Sequence, residues 1–230
     1  MNLLLLSNST NFGESYMDWC AEIIGNFVKG LEGEIIFIPY AAVGFSYEQY
    51  TEMVNKALSP FQVEVKDISA FEDPKKAIEQ ASAIFIGGGN TFQLTKCLQD
   101  FGLVELIKEK VERGAPYVGW SAGSNVAGES IKTTNDMPIV EPSSFNALGL
   151  IQHQINPHFT EATIPNHGGE SRGQRLQEFL ALNKQSKVIC LPEASYCIQQ
   201  GDQLLYRGDK EGQIMSDFGI TPLKDGDNIQ

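Results

Sequence analysis

Ser121 lies in "GWSAG", where Gly119-x-Ser121-x-Gly123 follows the apolar run Tyr117–Gly119 and leads into the small-residue stretch "SNVAG". Small flanking residues allow a strained strand-to-helix turn that lifts a serine hydroxyl above a sheet, and the free N–H groups of the following helix favour a developing oxyanion. The alternative for Ser121 is a tight turn with no chemistry. Nucleophilic serine chemistry needs a base, an orienting acid and oxyanion donors. Three histidines are available, His153, His158 and His167. His153 sits in the alternating "LIQHQIN" as a structural strand residue, and His167 precedes "GGE" in a loop. His158 follows a proline in "NPHF", where the backbone is fixed, and is the best-placed base. Asp136 in "KTTNDMP" gives the chain order Ser, Asp, His found in other α/β serine hydrolases, although an aspartate there also suits an Asx turn. Glu129 and Glu141 compete more weakly for the acid.

The "IGGGNTF" loop supplies a second set of backbone amides that can approach a ligand closely. Its third dinucleotide-fingerprint position is Phe92 and it lacks the P-loop lysine, so nucleotide binding is a poor match. The amide of Gly89, facing that of Ala122, fits an oxyanion pocket, and Asn90 or Thr91 fits a helix cap.

These residues need elements to hold them. Strand patterns occur at 2–6, 34–38, 62–65, 83–86, 117–119 and 188–191. Helical patterns occupy 15–29, 47–58, 74–80, 91–98, 103–113 and 170–182. Short buried strands alternating with helices predict a mostly parallel central sheet with helices on both faces. Segments 196–199, 203–206 and 213–215, broken by "QGDQ" and "RGDKEG", predict antiparallel C-terminal edge strands. The loops at 87–91, at 120–124 and from 133 to 167 leave the carboxyl ends of strands, where α/β sheets place their ligands. No repeat or linker divides the chain, so 1–230 reads as a single α/β domain.

The net charge of −12 argues against nucleic-acid binding. It also means that an acidic substrate would need a local cation. Cys20, Cys97, Cys190 and Cys197 form no metal-ligand spacing and read as reduced thiols. "MNLLLLSNST" has no basic region and only four leucines, so it reads as a buried strand rather than a signal peptide. No segment is long enough to span a membrane. A cytoplasmic protein, monomer or homodimer, is expected, with no cofactor or metal.

"GGGNTFQL", "GWSAGSN", "TTNDMPIV" and "INPHF", in this order, closely resemble peptidase E, the aspartyl dipeptidase family of serine peptidases. The resemblance runs from the first strand to about Pro192. It implies a sheet similar to that of class I glutamine amidotransferases and cleavage of small peptides with an N-terminal aspartate. It further implies Ser121 as nucleophile, His158 as base, Asp136 as acid, and oxyanion amides at Gly89 and Ala122. Arg172 in "GGESRGQR" is the counterpart of the family's substrate-carboxylate arginine, with Arg175 as competitor, and would supply the local cation. Asn90 or Glu170 would take the substrate amino group. The chain departs from the family at Ser124, often a smaller residue there, in the glycine-rich "NHGGES", and in the C-terminal tail. The competing readings are a cyanophycinase-like peptidase acting on an aspartate-rich polymer and a noncatalytic small-molecule binder.

Overall fold

Four consecutive leucines form β1 (Leu3–Leu6), and all four are fully buried, as strands covered on both faces must be. The computed structural model describes residues 1–163, 165, 166 and 168–229, so His167 lies outside the described residues. After β1 come α1 (Ala21–Phe27), β2 (Ile35–Ile38), α2 (Tyr47–Leu58), β3 (Val65–Asp67), α3 (Pro74–Gln80) and β4 (Ala83–Ile86). Then follow α4 (Thr91–Asp100), α5 (Val104–Glu112), β5 (Tyr117–Trp120), α6 (Ala122–Asn125), β6 (Gln154–Asn156), α7 (Arg172–Leu182) and β7 (Lys187–Cys190). The chain ends with β8 (Tyr196–Gln200), β9 (Gln203–Arg207), β10 (Gly212–Ser216), β11 (Gly219–Leu223) and β12 (Asn228–Ile229).

The larger sheet has the order β12-β9-β8-β1-β5-β4-β2-β3. Strands β1 to β5 run parallel, and β8, β9 and β12 finish one edge antiparallel, as the turn pattern predicts. Alternation along the strands divides the core. Leu4, Leu6, Phe37, Phe85, Val118 and Trp120 pack with α1 and α2 on one face. Leu3, Leu5, Ile38, Ile86 and Tyr117 pack with α3, α4, α5 and α6 on the other.

Strand β7 does not join this sheet. It pairs with β6 in parallel and with β10 antiparallel, in a second sheet ordered β11-β10-β7-β6. Segment 213–215, expected at the edge of the central sheet, therefore lies in the smaller one. Ile155, Ile189 and Leu191 join the core on the α6 side, while Val188, Cys190 and Met215 pack under Leu176 and Leu180 of α7. The site is thus bounded by the carboxyl ends of parallel strands from two sheets. The helical pattern at 15–29 shortens to α1 because Met17 adopts a positive φ of 63° and residues 16–20 form turns.

Candidate active site

Strand β5 ends at Trp120, and the chain turns through Ser121 at φ 52°, ψ −112° before α6 starts. A non-glycine residue in such a conformation costs roughly 1–3 kcal/mol and persists only where its surroundings over-determine it. Here the Ser121 N–H donates to Leu6 O at 3.1 Å, and its carbonyl accepts from Ser124 and Asn125. The flanking glycines are required by contact. A Cβ on Gly119 would lie 2.5 Å from Gly123 O, and one on Gly123 would overlap Ile86 O. Ser124, the departure noted in the sequence, puts its hydroxyl 2.6 Å from Leu6 O and 2.8 Å from Gly119 O, bracing β1 against β5.

His158 comes from the loop after β6, also at positive φ (52°). The Ser7 hydroxyl fixes it by accepting from His158 N at 2.9 Å and donating to Leu191 O at 2.9 Å, a bridge from β1 to the second sheet. The ring then reaches Ser121, with Nε2 2.9 Å from Oγ. Its Nδ1 is 3.2 Å from Glu193 Oε1. A carboxylate only accepts, so this contact assigns the proton to Nδ1 and leaves Nε2 free to accept from the serine. Glu193 is itself held, since the next amide, Ala194 N, donates to Asn8 Oδ1 at 2.9 Å.

Asp136, expected on the imidazole, points elsewhere. Its Oδ2 accepts from Thr91 N at 2.7 Å, at the start of α4. A carboxylate there satisfies an orphan helix amide and complements the helix dipole. The two loops are nevertheless joined: Asn156 donates to Thr133 O and Asn135 Oδ1, and Asn135 donates to Pro157 O. Asn90, expected to bind substrate, caps α4 by accepting from Gln93 N at 3.1 Å and donates to Met137 O at 2.9 Å. Both ends of its amide are thereby engaged in structure.

Arg172 is the first residue of α7, behind a Ser171–Gln174 capping box. Its guanidinium donates to His158 O. Burial pushes its pKa down, partly offset by Glu193; Arg175 pushes it further down, and Asp136 raises it. It lines a cleft of about 450 Å³ with Asp136, Thr160, Glu170 and Arg175. The amides of Gly89 and Ala122 have no acceptor among the described residues.

The family model for peptidase family S51 matches residues 3–206. The chain belongs to peptidase family S51. This S51 chain is 48% identical over 208 residues to Peptidase E of a Nostoc species, covering 90% of this chain and 86% of that one. It is 46% identical over 214 residues to Peptidase E of Shewanella denitrificans, covering 93% and 91%. The crystal structure of a peptidase from an acI-B1 Actinobacterium shares the fold, with a TM-score of 0.74 at 21% identity over 100% of this chain and 96% of that one.

Within this peptidase, sequence reasoning brought together Ser121, His158 and Arg172 but missed Glu193, Ser7 and Asn8. Glu193 carried one signal: it is the first acidic residue beyond the carboxyl end of a buried strand, in "CLPEAS".

Proposed function

We propose that this peptidase is a serine-type dipeptidase that hydrolyses Asp-X peptides through an acyl-enzyme on Ser121. The observation that carries the reading is the 2.9 Å contact between Ser121 Oγ and His158 Nε2, made by a serine in a strained turn. Glu193 holds His158 Nδ1–H and stabilises the imidazolium, so the orienting acid is Glu193 rather than Asp136. His158 takes the serine proton as Oγ attacks the aspartyl carbonyl. The amides of Gly89 and Ala122 receive the oxyanion. His158 then protonates the leaving amine as the C–N bond breaks, and a water activated by the same imidazole hydrolyses the ester and restores Ser121.

Arg172 supplies the cation for the aspartate side chain in a chain of net charge −12. Asp136, across the same cleft, has one carboxylate oxygen engaged by Thr91 N and offers the other to the substrate ammonium. The reading includes a cytoplasmic setting; no described helix is long and apolar enough to cross a membrane.

Purified protein should release aspartate from Asp-Leu and leave Leu-Leu intact. Ser121→Ala should abolish turnover and labelling by a fluorophosphonate; retained turnover would refute the assignment. Arg172→Ala should lose Asp-X substrates selectively. An equal loss on every substrate would mean that the arginine serves only His158 O.

A further inference from the structure

The glycine loop and the residue that follows it, 87–90, are clamped at three polar groups. Gly87 N donates to Ile38 O at 3.2 Å, and Asn90 N donates to Ala41 O at 2.8 Å. The third clamp is a side chain: the Tyr50 hydroxyl donates to Gly88 O at 3.0 Å. That hydroxyl in turn accepts from Trp120 Nε1 at 3.0 Å, and Trp120 is the residue before Ser121. In a trans peptide the carbonyl and the following N–H point to opposite edges of one plane. Holding Gly88 C=O on Tyr50 therefore turns the Gly89 N–H away from Tyr50. Gly88 lies against the nucleophile, since a Cβ there would sit 2.9 Å from Ser121 Cβ. The N–H groups of Gly88 and Gly89 have no acceptor among the described residues.

Glycine makes this peptide free to rotate, with Gly89 at φ 137°. Tyr50 is not free. It sits in the first turn of α2, whose Ser46–Gln49 capping box fixes the helix start. Its ring meets Phe37 at 5.0 Å and Phe45 at 5.2 Å edge-on, and fills the space where Gly87 would carry a Cβ. We propose that Tyr50 is a positioning residue for the oxyanion pocket: its hydroxyl holds the Gly88–Gly89 peptide in the orientation that presents the Gly89 N–H to the oxyanion formed at Ser121. The proposal rests on Ser121 being the nucleophile.

Deleting an oxyanion donor lowers kcat by about 10²–10³. Tyr50→Phe keeps the donor and releases one of its clamps, so a fall in kcat of about 10- to 100-fold is expected, with KM within about twofold. Fluorophosphonate labelling of Ser121 should slow in parallel. Fluorotyrosine at position 50, which keeps a hydroxyl, should restore most of the rate. Tyr16→Phe is the control. Tyr16 lies edge-on to Tyr50 with ring centroids 6.4 Å apart, and its hydroxyl makes no hydrogen bond to Gly88 among the described residues, so its loss should change kcat by no more than about twofold.

Equal losses in Tyr16→Phe and Tyr50→Phe, or Tyr50→Phe rates within twofold of wild type, would overturn the proposal while leaving Ser121 as nucleophile. Wild-type protein that the probe never labels would overturn both. A crystal structure of the phosphonylated wild-type protein tests the point without any substitution. A phosphoryl oxygen on Gly89 N with Gly88 O still on Tyr50 supports the assignment, and a flipped peptide refutes it.

Discussion

Replacing Glu193 by glutamine removes the carboxylate 3.2 Å from His158 Nδ1 while keeping its size. A hydrogen bond to a charged group contributes about 1.5–3 kcal/mol, and about 1.4 kcal/mol is tenfold in rate, which bounds the effect at about 10- to 150-fold. Where the acid of a serine-protease triad is buried, the corresponding change costs about 10⁴. Here the side chains of His158 and Glu193 are 36% and 45% exposed, so water takes over part of the lost interaction and the low end applies. We expect Glu193→Gln to slow fluorophosphonate labelling of Ser121 by about 10- to 30-fold. This readout needs no assumption about the peptide substrate. Asp136→Asn should label within about threefold of wild type and raise KM for Asp-Leu instead, because Asp136 faces the cleft and Thr91 N rather than the ring. If Asp136→Asn slowed labelling a hundredfold and Glu193→Gln left it unchanged, the assignment of the orienting acid would be wrong.

Ser7→Ala leaves His158 N and Leu191 O without their shared hydroxyl. It should destabilise the fold by about 1–3 kcal/mol in urea denaturation and lower the labelling rate, because the ring loses its backbone anchor. Gly119→Ala places a Cβ 2.5 Å from Gly123 O. Overpacking should cost about 1–3 kcal/mol or more, seen as a lower melting temperature together with loss of labelling. Ellman's reagent should meet at most Cys97 in the native protein, since Cys20, Cys190 and Cys197 are buried, and all four thiols after denaturation. Burial pushes the Cys20 thiol up to about 12. Folding therefore favours its protonated form, and that stability is complete below about 8.5, where unfolded thiols begin to ionise. The urea midpoint should fall as pH rises from about 8.5 towards 11; a flat midpoint would contradict it.

The parts of the site that could be read from the sequence are those whose residues lie side by side in the chain. Gly119, Ser121 and Gly123 form one turn, and His158 is framed by Pro157 and Phe159, so local chemistry announces both. Glu193 is 35 residues from His158, and nothing in the spacing ties them. Their meeting depends on β6 pairing with β7 in parallel, a long-range register that alternation alone does not contain. Asp136 fits a familiar order between serine and histidine, but the partner the structure gives its carboxylate, the Thr91 amide, is a backbone group with no sequence signature. The same limit hid the second sheet. Val188–Leu191 is as apolar as the central strands, and apolarity reports burial on both faces, not which sheet does the burying.

The Ser7 bridge spans 184 residues, from the first strand to the carboxyl end of β7. Ser121 is therefore made long before the contacts around it are complete, because neither Leu191 nor Glu193 is in place until about five-sixths of the chain has been synthesised. Until then the growing chain lacks both the Leu191 carbonyl that takes the Ser7 hydroxyl and the carboxylate beside His158. On the function proposed above, a chain cut short before Glu193 should therefore carry less hydrolytic activity than the full chain, so that activity reports how far synthesis has run.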